Sequence, residues 1–330
     1  MSSHSQLYLN DYMSPDVEKF ATRRGFGEGL KKAGEKNENV VAGSADLTES
    51  TNIHFFKEAF PERFFEVGVA EQNMVTVAAG LARMGKIPFV SSYAAFSPGR
   101  NWEQIKTTSA LNNLPVKIVG GHAGLYTGAD GATHQMLEDI ALMRVMPNMV
   151  VIVPGDGPEA EKATIAMAED PRPNYIRLCR EATPVITTDK TPFEIGKAYV
   201  FEPGHDVTII STGTMTYPAL VAANMLFKDG IDAEVLHVPT IKPLDAVTIL
   251  QSVQKTKAVV TVEEAQVNGG LGGAIAELLG ENLPTPMRRL GVKDQYGQSG
   301  KPSELLEHYG LTPKHIMLAV HDILTSIGRQ

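Results

Sequence analysis

The sequence predicts an α/β protein made of two successive three-layer α/β/α units, each with a mainly parallel sheet. Short, nearly all-apolar runs recur along the chain, stretches of helical spacing separate them, and the rhythm breaks once, over 181–194, before restarting. Near-continuous apolar strands fit a sheet covered on both faces, since a sheet with one wet face would alternate. A length of 330 residues also suits about two domains. The expected division is 1–185 and 195–330, with a linker at 186–194.

Taken in order, "SPDVEKFATRRGFGEGLKKAG" predicts a helix capped by Ser14, with Pro15 at its first position and Asp16 in its first turn. β-rich runs follow at 39–45, 86–93, 115–122, 149–155 and 174–179, and helical stretches at 71–83, 100–112, 134–145 and 158–169 separate most of them. "EATPVITTDKTPFE", rich in Pro, Thr and charge, reads as the linker. Beyond it, strands at 206–212, 232–238, 257–263 and 287–292 alternate with helices at 216–229, 245–254 and 271–280. No repeat of 20–50 residues interrupts this pattern.

A net charge of −8 without a basic block argues against nucleic acid as a partner. The single cysteine, Cys179, gives neither an intrachain disulfide framework nor a zinc cluster, so a reducing cytoplasm is expected. "MSSHSQLYLNDYMS" lacks a signal-like apolar run, and no stretch approaches the ~20 apolar residues that span a bilayer. The expectation is an enzyme, or an enzyme subunit, with no membrane contact.

Ligands of open parallel sheets gather beyond the carboxyl ends of the strands. Three polar residues fall there: Asp46, His122 and Arg180. The loop "HAGLYTGADGATHQ" adds Asp130 and His134, so two imidazoles and a carboxylate share one glycine-rich loop suited to proton transfer and hydroxyl recognition. "VGVAEQNM" places Glu71 where a β-like run meets an amphipathic helix. An acid in a helix's first turn opposes the macrodipole, and that alone would account for Glu71.

The ordered set "GSADLTES", "GVAEQNM", "GADGATHQ", "RVMPNMVVIVPGD" and "RLCRE", followed by "VPTIKPLD" and "VTVEEAQVNGGLGG", resembles the C-terminal half of a transketolase across nearly the whole chain. The resemblance implies the pyrimidine-binding fold followed by the transketolase C-terminal domain, and thiamine diphosphate as cofactor. Glu71 matches the acid that bonds the aminopyrimidine at N1′, favouring the tautomer whose 4′ nitrogen acts as base toward the thiazolium. Tyr93 and Phe96 match aromatics packed on the pyrimidine, with Asp46 also at the cofactor. A further family aromatic is missing, because the chain continues "SPGR". Asp130 matches the residue bonding the donor hydroxyl beside the ketone, and His134 one at the reacting centre. For the sugar phosphate the matches are Arg23, Ser50, His122 and Arg180, with Arg24 a competitor for the place of Arg23; a planar guanidinium suits phosphate by its paired bonds.

A whole transketolase holds the diphosphate through Mg²⁺ (or Ca²⁺) in an N-terminal domain marked by Gly-Asp-Gly and a later Asn. "GDG" at 155–157 lacks that Asn, and "GDGPEAE" reads as a helix start: Asp156 as cap, Pro158 in the first turn, Glu159 completing a capping box. "NGGLGGAIAELL" reads as packing rather than a phosphate site. The resemblance therefore implies one subunit of a two-chain transketolase, with a separate diphosphate-binding partner, an α2β2 assembly and phosphorylated sugars as substrates. A 2-oxoacid dehydrogenase β-subunit should lack "DGATHQ" and Arg180. Deoxyxylulose-phosphate synthase prefers Arg near 122 and carries its diphosphate domain in the same chain. From another class, a non-catalytic paralogue would have no physical reason to keep Glu71, Asp130 and His134 together.

Overall fold

Alternating side chains of the same strands enter two different cores, which is why the strands read as unbroken apolar runs. Val40, Ala42, Phe89, Val119, Val150, Ile152 and Ile176 face one core, with Phe26 and Leu30 and with Ala160, Ala163 and Met167 from two helices. Val90, Ile118, Val151 and Tyr175 face the opposite core, with Met74, Val75 and Ala78. A computed structural model describes residues 8–329 of the chain.

Among the described residues the first sheet has seven strands, in spatial order Thr240–Lys242, Val150–Ile152, Asn174–Arg177, Lys117–Gly121, Ile87–Tyr93, Val40–Ser44 and Phe64–Glu66. All run parallel except Thr240–Lys242, which is antiparallel to its neighbour. The second sheet has five: Met287–Val292, Val259–Gln266, Val207–Ser211, Ala233–His237 and Tyr199–Glu202, the last antiparallel. Two α/β units with mainly parallel sheets are thus present. They are not separate bodies, because the second unit lends an edge strand to the first sheet and Ile210, Leu236, Ile249 and Ile275 join the core that holds Met74.

Several expected elements shift. The helix foreseen from Pro15 begins at Thr22. Ser14 instead closes a turn, its Oγ accepting from the Asp16 N–H, and Lys19–Ala21 forms a strand paired with Ala182–Pro184. Pairing across more than 160 positions outweighs a local capping signal, and it turns the start of the expected 181–194 linker segment into sheet. Helix Thr22–Lys36 packs on helix Gly157–Glu169 so closely that a Cβ on Gly25 would overlap the Gly157 carbonyl. The stretch expected helical from 134 becomes helix only over Asp139–Arg144, and that from 100 is helix Trp102–Gln104 followed by π-helix Ile105–Ala110. Helices Pro302–His308 and Pro313–Ser326 were not foreseen.

At 155–157 the carboxylate of Asp156 caps the Glu159 N–H and also accepts from the Ile186 and Thr187 N–H groups and the Thr187 hydroxyl. Four donors occupy it, so this aspartate pins the 186–187 segment. The reciprocal bond of the expected capping box falls one residue early: Glu159 Oε2 accepts from the Gly155 N–H, and the same oxygen meets His237 Nε2 of the second unit at 2.8 Å. At "NGGLGG", Glu263 takes the N–H groups of Leu271 and Gly272, so the helix start is filled by the protein's own carboxylate. No helix among the described residues is long and apolar enough to cross a membrane.

Candidate active site

Five adjacent parallel strands deliver the candidate residues to one edge. Ser50 and Asp46 follow Val40–Ser44, Glu71 follows Phe64–Glu66, Tyr93 ends its strand, His122 follows Lys117–Gly121 and Arg180 follows Asn174–Arg177. This is the carboxyl edge where parallel sheets leave backbone and side chains free for ligands.

Glu71 opens helix Glu71–Arg83 and is 1 % exposed. Its Oε2 is 2.8 Å from Arg100 Nη1, and Oε1 accepts a longer, 3.4 Å bond from the Ser92 hydroxyl. Asn101 Nδ2 donates to the Glu71 carbonyl, fixing the backbone beneath the carboxylate. The Arg100 guanidinium lies over the Phe96 ring at 4.8 Å. Arg100 escaped the sequence reading, although the unexpected "SPGR" was its signal.

Rings continue from there. Phe96 and Tyr93 stack at 5.9 Å, Tyr93 stacks on His122 at 3.9 Å, and His134 meets Phe96 edge-on at 5.4 Å. His122 carries a left-handed backbone, φ +52°, unusual for a residue with a Cβ, and the Thr127 hydroxyl donates to its carbonyl at 2.6 Å. Its imidazole is buried and, among the described residues, its Nδ1 has no hydrogen-bond partner. Burial first, and then the charges of Arg23 and Arg180 and the nearby His134, push its pKa down to about 3, so it is neutral at physiological pH.

The arginines form the next group. Arg23 donates to the carbonyls of Ser50 at 2.7 Å and Arg180 at 2.9 Å. Arg180 donates to the Thr127 carbonyl and lies 3.6 Å from the Asp130 carboxylate. Arg24 points elsewhere, pairing with Glu28 on the exposed helix face and lying over Phe20. Arg23, not Arg24, therefore stands with Ser50 and Arg180.

Asp46 differs from the rest. Its backbone N–H donates to Glu66 Oε1, which also takes the Val67 and Gly68 N–H groups, while Glu66 Oε2 takes the Thr48 hydroxyl. Glu66, unnoticed in the sequence, ties the loops carrying Asp46 and leading to Glu71 to each other. The described residues bring together Glu71, Tyr93, Phe96, His122 and His134 through one set of contacts, and Arg23, Ser50, Arg180 and Asp130 through another. Charge coupling at His122 joins the two sets. Among the described residues no cluster of three His, Cys, Asp or Glu side chains suits a metal ion.

Such an arrangement can present one weakly bonded carboxylate oxygen to a ring N–H, hold a flat ring against aromatics, and offer cations to an anionic group a short way off. Glu71 Oε1 and the Tyr93–Phe96 pair could face a flat, nitrogen-containing ring, and His122 Nδ1 a polar group beside it.

Comparison with known proteins agrees in order and extent. The family model described as "Transketolase, pyrimidine binding domain" matches residues 18–185, and "Transketolase, C-terminal domain" matches 196–316. A transketolase C-terminal section of Methanocaldococcus jannaschii is 47 % identical over 298 residues, covering 89 % of this chain and 93 % of that one. A 6-deoxy-6-sulfo-D-fructose transketolase subunit of Clostridium sp. is 42 % identical, covering 96 % and 98 %. Among solved structures, a split-gene transketolase in an inactive β4 tetramer superposes with TM-score 0.87 at 45 % identity, over 93 % of this chain and 99 % of that one.

Proposed function

The chain belongs to the transketolase family, and from that premise we propose that it is one subunit of a two-chain transketolase. The reaction in this reading moves a two-carbon ketol unit from a ketose phosphate to an aldose phosphate. The observation that carries it is the contact set at the sheet edge, in which a buried, half-satisfied carboxylate meets stacked aromatics and a neutral imidazole beside two arginines. The domain division at 186–194 belongs to the same reading, with 1–185 as the pyrimidine-binding domain and 195–330 as the C-terminal domain.

When bound, thiamine diphosphate supplies the nucleophilic carbon and electron sink that allow cleavage beside a ketone. Glu71 would hold the ring N–H through Oε1, with Oε2 fixed by Arg100. Tyr93 and Phe96 would hold the flat ring by stacking. Asp130 would accept from the donor hydroxyl, His134 would handle a proton at the reacting centre, and Arg23, Ser50, His122 and Arg180 would receive the phosphate end. A neutral His122 can accept from a hydroxyl or donate to a phosphate oxygen without adding a third cation. The Clostridium relative is named for a sulfo sugar, so an anionic sugar tail, rather than phosphate alone, is the class to test.

Thiamine's diphosphate, with Mg²⁺ or Ca²⁺, is assigned to a separate subunit in an α2β2 complex. Asp156, the aspartate of the Gly-Asp-Gly, supports this because its oxygens are occupied by the chain's own donors. The test is ketol transfer from xylulose 5-phosphate to ribose 5-phosphate with thiamine diphosphate and Mg²⁺, using this chain alone and then with its partner. Activity only in the complex, lost in Glu71→Ala, is the expected result. Activity of the isolated chain would sink the split-site assignment.

A further inference from the structure

The loop that carries Asp130 and His134 owes its shape to the second unit. Gly124, Gly128 and Gly131 all have φ between +73° and +75°, a region in which a Cβ would be strained. A loop bent three times this way needs outside support to hold one shape. Gln135, 3 % exposed, supplies part of it, donating through Nε2 to the Gly128 carbonyl at 2.8 Å and to the Gln298 carbonyl at 2.9 Å. Ser299 Oγ donates to the Ala129 carbonyl at 2.6 Å, one residue before Asp130.

The supporting segment is itself anchored. Gln266, at the end of strand Val259–Gln266, donates to the Gln295 carbonyl and accepts from the Asp294 N–H, and the Tyr309 hydroxyl donates to the Tyr296 carbonyl. A Cβ on Gly297 would overlap Gln135 Oε1, so the segment lies directly against the Gln135 side chain. The backbone of 294–299, hydrogen-bonded at one end to the second sheet and at the other to Gln135 and Ala129, thus links that sheet to the backbone that sets Asp130 and His134.

We propose that Gln298 and Ser299, with the buried amide of Gln135, position the Asp130–His134 loop and thereby set the enzyme's preference among ketol donors. Gln135 and Ser299 are positioning residues in this account, acting through the loop, and the inference rests on the ketol-transfer reading. Loops of this kind open with low local stability once such anchors are cut, and a small misplacement of recognition groups is costly in rate.

The experiment uses the complex of this chain with its diphosphate-binding partner, as wild type, Gln135→Ala and Ser299→Ala. Two quantities are read: hydrogen exchange of the amides of 124–135, and the ratio of kcat/KM for xylulose 5-phosphate over hydroxypyruvate, a ketol donor with no hydroxyl beside its ketone on the cleaved side. Both variants should exchange this loop at least about tenfold faster, and the donor ratio should fall about tenfold. Exchange at the wild-type rate in both variants overturns the proposal, as does faster exchange with an unchanged ratio. Should Gln135→Ala fail to fold, Ser299→Ala, altered at the surface, decides alone. A wild-type complex without ketol transfer overturns the functional reading and the donor preference with it, whereas the exchange data still tell whether the loop is held from the second unit.

Discussion

Arg100 Nη1 lies 2.8 Å from Glu71 Oε2, so a half-exposed guanidinium neutralises a carboxylate that is 1 % exposed. Removing only the cation leaves a buried anion without its partner, which costs more than the pair itself contributes. Arg100→Met should therefore lower the unfolding free energy of the isolated chain by about 1–2 kcal/mol, less than for a fully buried pair because water reaches the guanidinium. In a Glu71→Gln background the same change should cost less than about half as much, because no anion is stranded. Equal losses in both backgrounds, measured by urea unfolding, would mean that the two side chains are not coupled.

His122 gives a pH signature. Its folded pKa is pushed down to about 3, first by burial, while an unfolded histidine titrates near 6.5. Between those values the unfolded chain binds a proton that the folded chain refuses, so stability falls as pH drops from 6.5 toward 3 and is indifferent to this group above 6.5. His122→Asn removes the titration, and Asn tolerates the positive φ of that position. From pH 7.5 to pH 5 the wild type should lose about 1–2 kcal/mol more than the variant. Parallel unfolding curves across that range would count against a neutral, buried His122.

Arg23 and Arg24 are neighbours in sequence with opposite surroundings. Arg23 grips the carbonyls of Ser50 and Arg180, whereas Arg24 pairs with Glu28 on the outer face. In the complex, Arg23→Ala should raise KM for phosphorylated substrates about tenfold or more, since charge-assisted bonds contribute most strongly to such recognition. Arg24→Ala should leave KM within about twofold, as expected for an exposed helix pair. The reverse order in steady-state kinetics would move the phosphate to Arg24.

Much of this site could be read from the chain because apolar strands announce where a sheet's carboxyl edge lies. His122, Arg180 and Asp46 become candidates by that position alone, and Asp130 and His134 by sharing a glycine-rich loop at the same edge. Arg100 and Glu66 were not, since each acts on a residue that only the fold brings near: Arg100 reaches back 29 positions to Glu71, and Glu66 reaches 20 to the Asp46 amide. The strand Thr240–Lys242 is three residues long and pairs with the other unit's sheet, so no local period could reveal it. Ser14-Pro15-Asp16 carried a helix-start signal that tertiary pairing at Lys19–Ala21 overrode. Pro302 and Pro313 each stand at the first position of a helix, a local signal present in the sequence itself.

Asp156 separates a structural aspartate from a metal ligand. Its carboxylate caps helix Gly157–Glu169 and holds both N–H groups at 186–187. Asp156→Ala strands these buried donors, so the chain should lose about 2–4 kcal/mol of unfolding free energy. Asp156→Asn keeps one acceptor oxygen and should lose less. Neither change touches Glu71 or the aromatic pair, so the affinity of the folded complex for thiamine diphosphate, measured by calorimetry with Mg²⁺, should stay within about twofold once the folded fraction is counted. A loss of affinity in Asp156→Asn at unchanged stability would mean that the Gly-Asp-Gly serves the diphosphate after all, and that the division of the site between two chains is wrong.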